Sequence, residues 1–573
     1  MKNLFLYVYS PLIFFLLFIA FFHSITAINQ DLGRHILTGK LILHEFSVPK
    51  VNLYSYTYPD FPFINHHYLS EVIFYIIQSS LGFSWLLLIM SLIALCSFLL
   101  IYIFSVKRFG YFVPALLSLF YLPVLFERTD LRPEIFSFLF LSLFVVILYL
   151  NRESKTKLIF LLIPFQLLWT QMHIYFFIGP FVIFLFLLEM LIAKRKKILH
   201  SSLLIVFLLS CLTMIFNPNG LNGALYPLQV FNNYGYAIEE NQTVFFLYSL
   251  GFNKPSFPFF LLSVFTLAIA LIASKKSFRL IDLLLGLSFS IFAFIAVRNF
   301  PLFVLATFIP TCYGLAILKR SLSRLHLLGA LQKRFYFKVV VNCLMFLLLI
   351  WEYSNVISSR NVGSTLPNEV GAAVNYFEKE NLQGPIFNNF DIGSYLSYRL
   401  YPRERVFIDG RPEAYPADFI QKTYIPMQQD PDNFSKADAK YKFSTIIFSH
   451  TDQTPWAATF LQNILNNKDW TTVYLNDTVV ILTRRAMPGG DYDSEQSLLI
   501  PPLSKAEYDK KSLQSLLRMG QFYSRYGSST DSAQIYREIL SLDPKNCQVL
   551  TLILSTPSIL NDVYQQSYRR HCR

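Results

Sequence analysis

Charge is scarce in this chain. Asp, Glu, Lys and Arg together make up 15% of its 573 residues, against 17% for Phe, Trp and Tyr. A water-soluble chain carries about 25% charged residues, so a soluble globular protein is excluded. Cysteine is also scarce: six residues, with no Cys-x-x-Cys and no Cys/His ligand spacing. That leaves no zinc or redox motif. Cys96, Cys211, Cys312 and Cys343 fall in apolar runs and read as packing residues. Cys547 and Cys572 share the C-terminal tail, where a disulfide can form. Internal repeats are missing, which argues against the repeat-built architecture of many transporters. The net charge is +13, yet no basic face gathers in the polar part, so nucleic acid is not expected as a partner.

What the chain has instead is apolar runs long enough to span a bilayer, for which about 20 residues suffice. They fall at 4–22, 84–106, 111–126, 134–150, 157–170, 174–193, 201–216, 257–273, 280–296, 300–318 and 337–353. Alternate connections hold Lys107/Arg108, Arg152/Lys155/Lys157, Lys194 to Lys197, Lys275/Lys276/Arg279 and Lys319/Arg320/Arg324/Lys333/Arg334, while the others are nearly free of Lys and Arg. This alternation follows the positive-inside rule. It predicts a multi-pass protein of the inner (plasma) membrane, with its N-terminus cytoplasmic and its C-terminal region extracytoplasmic. Residues 1–27 have the look of a signal peptide, but with ten more runs following they are expected to stay as the first span.

Three parts are expected: a membrane domain over 1–355, an extracytoplasmic α/β domain over 366–486, and a helical tail over 508–573. The α/β domain should hold strands near 385–389, 405–408, 443–449, 470–475 and 479–483, the last two joined as a hairpin around Asn476-Asp477. Asp391 and Asp409 each follow a strand, the edge where ligands sit in open sheets. With Arg411 they are candidate acceptor-facing residues. In the tail, Met519-Gly520, Tyr523, Gly527, Tyr536 and Pro544 have the spacing of one tetratricopeptide repeat. One repeat cannot bury its own face, so it should dock on the α/β domain or take a protein partner.

Two outer loops, about 24–83 and 217–256, are too long for simple turns. The first opens with Asp31-Leu-Gly-Arg34-His35. As an amphipathic helix it would lie along the membrane surface, with Asp31 and His35 on one face. Asp31 can serve as a general base or hold a divalent metal such as Mg or Mn; its bland alternative is a charge favoured by the helix dipole. His66 and His67 cannot face one way on a regular helix, so a paired-His metal site is not expected; one of them either points inward beside Glu71, four residues beyond His67, or the two make loop hydrogen bonds, an equally good reading. The outer ends of the runs hold Arg128, Asp130, Arg132 and Glu134, then His173, then Arg298. Arg132, His173 and Arg298 suit an anionic headgroup. The bland reading pairs Asp130 and Glu134 with Arg128 and Arg132. Glu240, in the second long loop, either reaches back to this rim or sits in a solvated turn, the latter slightly favoured.

At these residues the chain resembles the GT-C glycosyltransferases. The resemblance rests on Asp31-x3-His35-x3-Gly39, Tyr54-Ser55-Tyr56-Thr57, Arg132-Pro133-Glu134, Trp169-x3-His173, Asn217-Pro218-x-Gly220 and Arg298-Asn299-x-Pro301 in that order. It implies a polytopic helical fold of about 11 transmembrane helices and a polyprenyl-phosphate-linked sugar donor used outside the membrane. It also implies an inverting transfer with Asp31 as base and Arg132, His173 and Arg298 on the phosphate. His35, His67, Glu71 and Glu240 would support the site. Many members pair two acids in the first loop, but Asp31 stands alone. Asn389-Phe390-Asp391-Ile392-Gly393 is placed like the Trp-Trp-Asp-x-Gly motif of oligosaccharyltransferases without either Trp. Two other readings fit a polytopic chain: a lipid or glycan transporter or flippase, and a non-catalytic scaffold whose outer domains bind a partner.

Overall fold

The computed structural model describes residues 5–154, 156–192, 197–229, 234–324, 335–485, 512–527, 529–555 and 562–572. Among these, six helices are long and apolar enough to cross a membrane: Phe83–Phe109, Glu134–Glu153, Ile174–Ile192, Ser256–Ala273, Val297–Arg324 and Val339–Ser359. Five shorter apolar helices fall on the other runs: Tyr7–Phe21, Phe112–Leu125, Lys157–Met172, Ser202–Thr213 and Leu280–Ile295. In lipid every backbone polar group needs an internal partner, which favours helices. The buried serines follow the same rule, with Ser91, Ser97 and Ser118 donating to the carbonyls of Leu87, Ile93 and Pro114 on their own helices. At the end away from the soluble part, Arg152 pairs with Glu189 at 2.8 Å and Arg279 with Asp282 at 2.6 Å. Lys155, Lys194 to Lys196, Lys333 and Arg334 lie outside the described residues, as do the expected domain-edge positions 486 and 508–511.

The first long loop is a structured unit. It forms α1 (Leu32–Glu45) and α2 (Tyr68–Leu81). A Cβ on Gly39 would stand 2.0 Å from the Glu71 carbonyl oxygen, so the two helices touch backbone to backbone. α1 is covered on its outer side. Leu32 to Gly39 are all buried, because the soluble domain roofs the helix and Tyr398 packs on Gly33.

The soluble domain carries a four-stranded sheet, β1 (Ile386–Asn388), β2 (Thr445–Ser449), β3 (Trp470–Leu475) and β4 (Val479–Arg484), in the order β1-β2-β4-β3. β1 and β2 are parallel, and the other pairings are antiparallel. The expected hairpin forms, and Asn476 Oδ1 closes it by accepting from the amides of Thr478 and Val479. Residues 405–408 do not form a sheet strand. Val406 bridges Ser55 of the first loop instead, and Phe63 of that loop joins Phe387, Phe407 and Phe443 in the domain's core. The domain is therefore completed by residues upstream of 366.

After β1 the chain enters α3 (Phe390–Leu400). A Cβ on Gly393 would lie 2.0 Å from the Ile408 carbonyl oxygen and 2.7 Å from Asp409 Cα. Because those are backbone atoms, Gly393→Ala must push α3 off the 409 loop. Overpacking of this kind costs about 1–3 kcal/mol, read as a lowered unfolding midpoint of the purified protein. In the tail, Leu513–Tyr526 and Ser529–Leu542 form a helix pair. It docks on the α/β domain through Phe522 on His450, with ring centroids 4.6 Å apart, and Arg518 at 3.6 Å from Asp477. Cys547 and Cys572 are disulfide-bonded.

Candidate functional site

The sequence-predicted residues meet where the outer ends of the membrane helices touch the soluble domain. Asp31 is the N-cap residue of α1, but its carboxylate makes no cap hydrogen bond. Oδ1 lies 3.4 Å from Arg34 Nη2, and Oδ2 lies 3.5 Å from Arg132 Nη1. Burial pushes the Asp31 carboxyl up, yet the Arg132 and Arg34 guanidiniums outweigh it and hold the group below the ordinary aspartate value. Asp31 is therefore ionised at neutral pH. Gly410 sits above it, where a Cβ would be 3.4 Å from Oδ1.

Beneath Asp31, Glu71 is saturated. Oε1 accepts from His35 Nδ1 at 2.7 Å, Oε2 accepts from Asn65 at 2.6 Å, and Arg34 stands 3.7 Å away. His35 is thus the partner of Glu71 in place of His66 or His67, because helix contact across α1 and α2 wins over spacing in sequence, while His66 makes the loop hydrogen bond of the other reading, to the Ile64 carbonyl at 3.1 Å. Burial and then Arg34 hold His35 below its ordinary value, so it is neutral. The hydrogen bond to Glu71 puts its proton on Nδ1. The His67 ring lies 4.0 Å from His66, 5.3 Å from His35 and 5.3 Å from His173. His173 Nδ1 accepts from Ser137 at 2.9 Å, and Ser137 in turn accepts from Trp169 Nε1.

On the other side of Asp31 runs an ion network. Arg132 Nη1 is 3.2 Å from Glu240 and its Nη2 donates to Gln30 at 2.7 Å. Arg128 bonds both Glu134, at 2.8 Å, and Glu240. Glu240 thus reaches back to the rim rather than sitting in a solvated turn, and Arg128, Arg132 and Arg298 hold its carboxyl well down against burial. The bland pairing is half correct: Glu134 pairs with Arg128, but Asp130 has no Arg or Lys within ion-pair distance among the described residues and accepts from Thr26 at 3.5 Å. Arg132 is committed to Asp31 and Glu240.

Arg298 differs. Among the described residues it has no carboxylate within ion-pair distance; Nε donates to Tyr175 Oη at 3.0 Å and Nη1 to Asn241 at 2.9 Å. It lines a cavity of about 530 Å³ whose other walls include Ile178, Phe292 and Leu302 from the membrane helices and Tyr236 and Gln421 from above. Tyr175 and Asn241 escaped the sequence reading, since neutral hydrogen-bond partners leave no charge pattern to find.

No protein-family model matches the sequence, and no curated protein does. Solved structures do. One is the oligosaccharyltransferase AglB from Archaeoglobus fulgidus in complex with an inhibitory peptide and a dolichol-phosphate, at 12% identity and TM-score 0.58, over 94% of this chain and 86% of that one. Another is ArnT from Cupriavidus metallidurans in the apo state, at 12% identity and TM-score 0.51, over 83% of this chain and 97% of that one. The fold is the GT-C fold. A third match, the A. fulgidus enzyme in complex with zinc and sulfate, has 12% identity and TM-score 0.52, over 90% of this chain and 82% of that one.

Within this GT-C fold, the donor set around Asp31 does not fit a divalent cation. Both carboxylate oxygens face guanidinium groups, and no group of three or more His, Cys, Asp or Glu among the described residues is arranged to hold a metal. Asp409 and Arg411, expected to face an acceptor, are fully buried and paired at 2.6 Å. Arg411 also donates to Asn52, at 2.7 Å, so the pair ties the soluble domain to the first loop and faces no open space. Asp391 reaches solvent on one side, yet burial and the nearby Asp452 push its carboxyl up to about 7. The folded state therefore binds this proton more tightly than the unfolded chain does between the ordinary value and about 7, so stability falls as pH rises through that window. Asp391→Asn should flatten this part of the pH dependence, read as the difference in unfolding midpoint between variant and wild type from about pH 4 to pH 7.

Proposed function

We propose that the chain is a membrane glycosyltransferase that moves a sugar from a polyprenyl-phosphate-linked donor to an acceptor hydroxyl on the extracytoplasmic side. One observation carries this reading: Arg298, a half-buried cation with no carboxylate within ion-pair distance among the described residues, faces an apolar-walled cavity at the outer end of the membrane helices. A phosphate on a long isoprenoid chain has that combination of charge and oil. The dolichol-phosphate in the similar AglB structure is a ligand of the same chemistry. The Cys547–Cys572 disulfide supports an extracytoplasmic soluble part, since such bonds persist in oxidising compartments.

In the proposed step the acceptor oxygen attacks the anomeric carbon, and the bond from that carbon to the phosphate oxygen breaks. The acceptor proton passes to Asp31, and the lipid phosphate leaves with both electrons of the broken bond. Arg298 meets the negative charge that grows on the leaving phosphate. Arg132 and Arg34 keep Asp31 ionised and hold it in place. A single in-line displacement inverts the anomeric centre. No step runs through a metal, because the residues around Asp31 do not fit one. His173, whose Nδ1 is taken by Ser137, supports the cavity wall beside Tyr175, at a centroid distance of 4.7 Å. The test is reconstitution of the purified chain in liposomes with labelled polyprenyl-phosphate sugars. Release of polyprenyl phosphate matched by sugar transfer is expected; movement of intact donor across the bilayer without cleavage would favour a flippase.

A further inference from the structure

A second cavity lies away from the site, on the lipid-facing side of Phe83–Phe109 and Glu134–Glu153. It is a groove of about 700 Å³. One wall is the stripe Leu92, Cys96 and Ile103; the other is Leu139, Val146 and Leu150. The first stripe advances by four and seven residues, which keeps it on one helix face, and four residues further on it ends at Lys107. The lining runs from Ile89 to Arg108, about 28 Å at 1.5 Å per residue, close to the thickness of a bilayer's hydrocarbon core. The small side chain at Cys96 deepens the middle.

The polar end of the groove is built asymmetrically. Arg108 is already committed, bonded to Glu153 and stacked over Phe104 at 5.2 Å. Arg152 is likewise held by Glu189. Lys107 is exposed and makes no ion pair or hydrogen bond among the described residues. An uncommitted ammonium at the end of an apolar trough complements a lipid with an anionic headgroup.

We infer that this groove is a binding site for an anionic glycerophospholipid, whose acyl chain lies along the Leu92–Cys96–Ile103 stripe and whose headgroup phosphate sits at Lys107. The site is independent of the sugar-transfer reading, because it shares no residue with the Arg298 cavity and opens to the opposite membrane interface. Its role is to hold one lipid at the seam between two spanning helices.

The full-length protein, released from bilayers of equal phosphatidylglycerol and phosphatidylcholine, should retain phosphatidylglycerol with about fivefold preference in native mass spectrometry, the worth of one lysine beside an anionic headgroup. Lys107→Gln should erase the preference and Lys107→Arg should keep it. A second readout needs no change at Lys107. In a Cys343→Ser background, alkylating Cys96 with a bulky maleimide should expel the retained lipid. Equal retention of the two lipids by the wild type, an undiminished preference in Lys107→Gln, or retention unchanged after Cys96 is blocked would each overturn the assignment. So would selective retention of a polyprenyl phosphate over phosphatidylglycerol.

Discussion

Asp31→Asn should lower sugar transfer by about 10²–10⁴-fold, the usual worth of a positioned general base, with little change in unfolding midpoint. The substitution keeps the shape of the side chain and removes only its charge and basicity. Its neighbours stay compensated, since Arg34 retains Glu71 at 3.7 Å and Arg132 retains Glu240 at 3.2 Å. A purely structural Asp31 gives the opposite pattern, with reduced stability and near-normal turnover of the protein that remains folded. The pH profile separates the two further. The Arg132 and Arg34 guanidiniums hold the carboxyl below the ordinary aspartate value despite burial. Wild-type transfer should therefore keep its base on acidification until pH falls below the ordinary aspartate range of about 4. Steady-state transfer rates from about pH 4 to pH 8, on wild type and variant, check this.

Arg298→Gln should cost about 10²–10³-fold in kcat/KM, as expected when a preorganised group that meets transition-state charge is removed. The loss should appear in kcat as well as KM, because the phosphate carries more charge when it leaves than when it binds. The fold should tolerate the change. The Arg298 partners are the neutral Tyr175 and Asn241, so no carboxylate is stranded by its loss. Arg298→Lys should recover only part of the activity, since an ammonium cannot hold Tyr175, Asn241 and a phosphate in one plane. Donor titrations at saturating acceptor, with unfolding midpoints alongside, measure both effects.

The membrane part was legible in the sequence because its signal is additive. Long apolar stretches need no tertiary information, and every expected run overlaps an apolar helix among the described residues. The hairpin at Asn476 was legible for a local reason, a side-chain turn closed by its own neighbours. Residues 405–408 were misread because an apolar extended segment has the same pattern whether it joins a sheet or pairs with a distant loop, here Ser55. The same limit governs the site. Spacing in sequence suggested His66 or His67 for Glu71, but contact across two helices gave His35. Arg132 and Arg298 have equal standing in the sequence. Only the folded chain separates them, by sending Glu240 to Arg132 and neutral partners to Arg298.

The most direct measurement is a density map of the full-length protein in lipid, with a short-chain polyprenyl phosphate at saturating concentration. The account requires phosphate density within hydrogen-bond distance of Arg298, with the prenyl chain running along Phe292 and Leu302 and the phosphate facing Asp31. A lipid phosphate bound elsewhere while this cavity stays empty would contradict it.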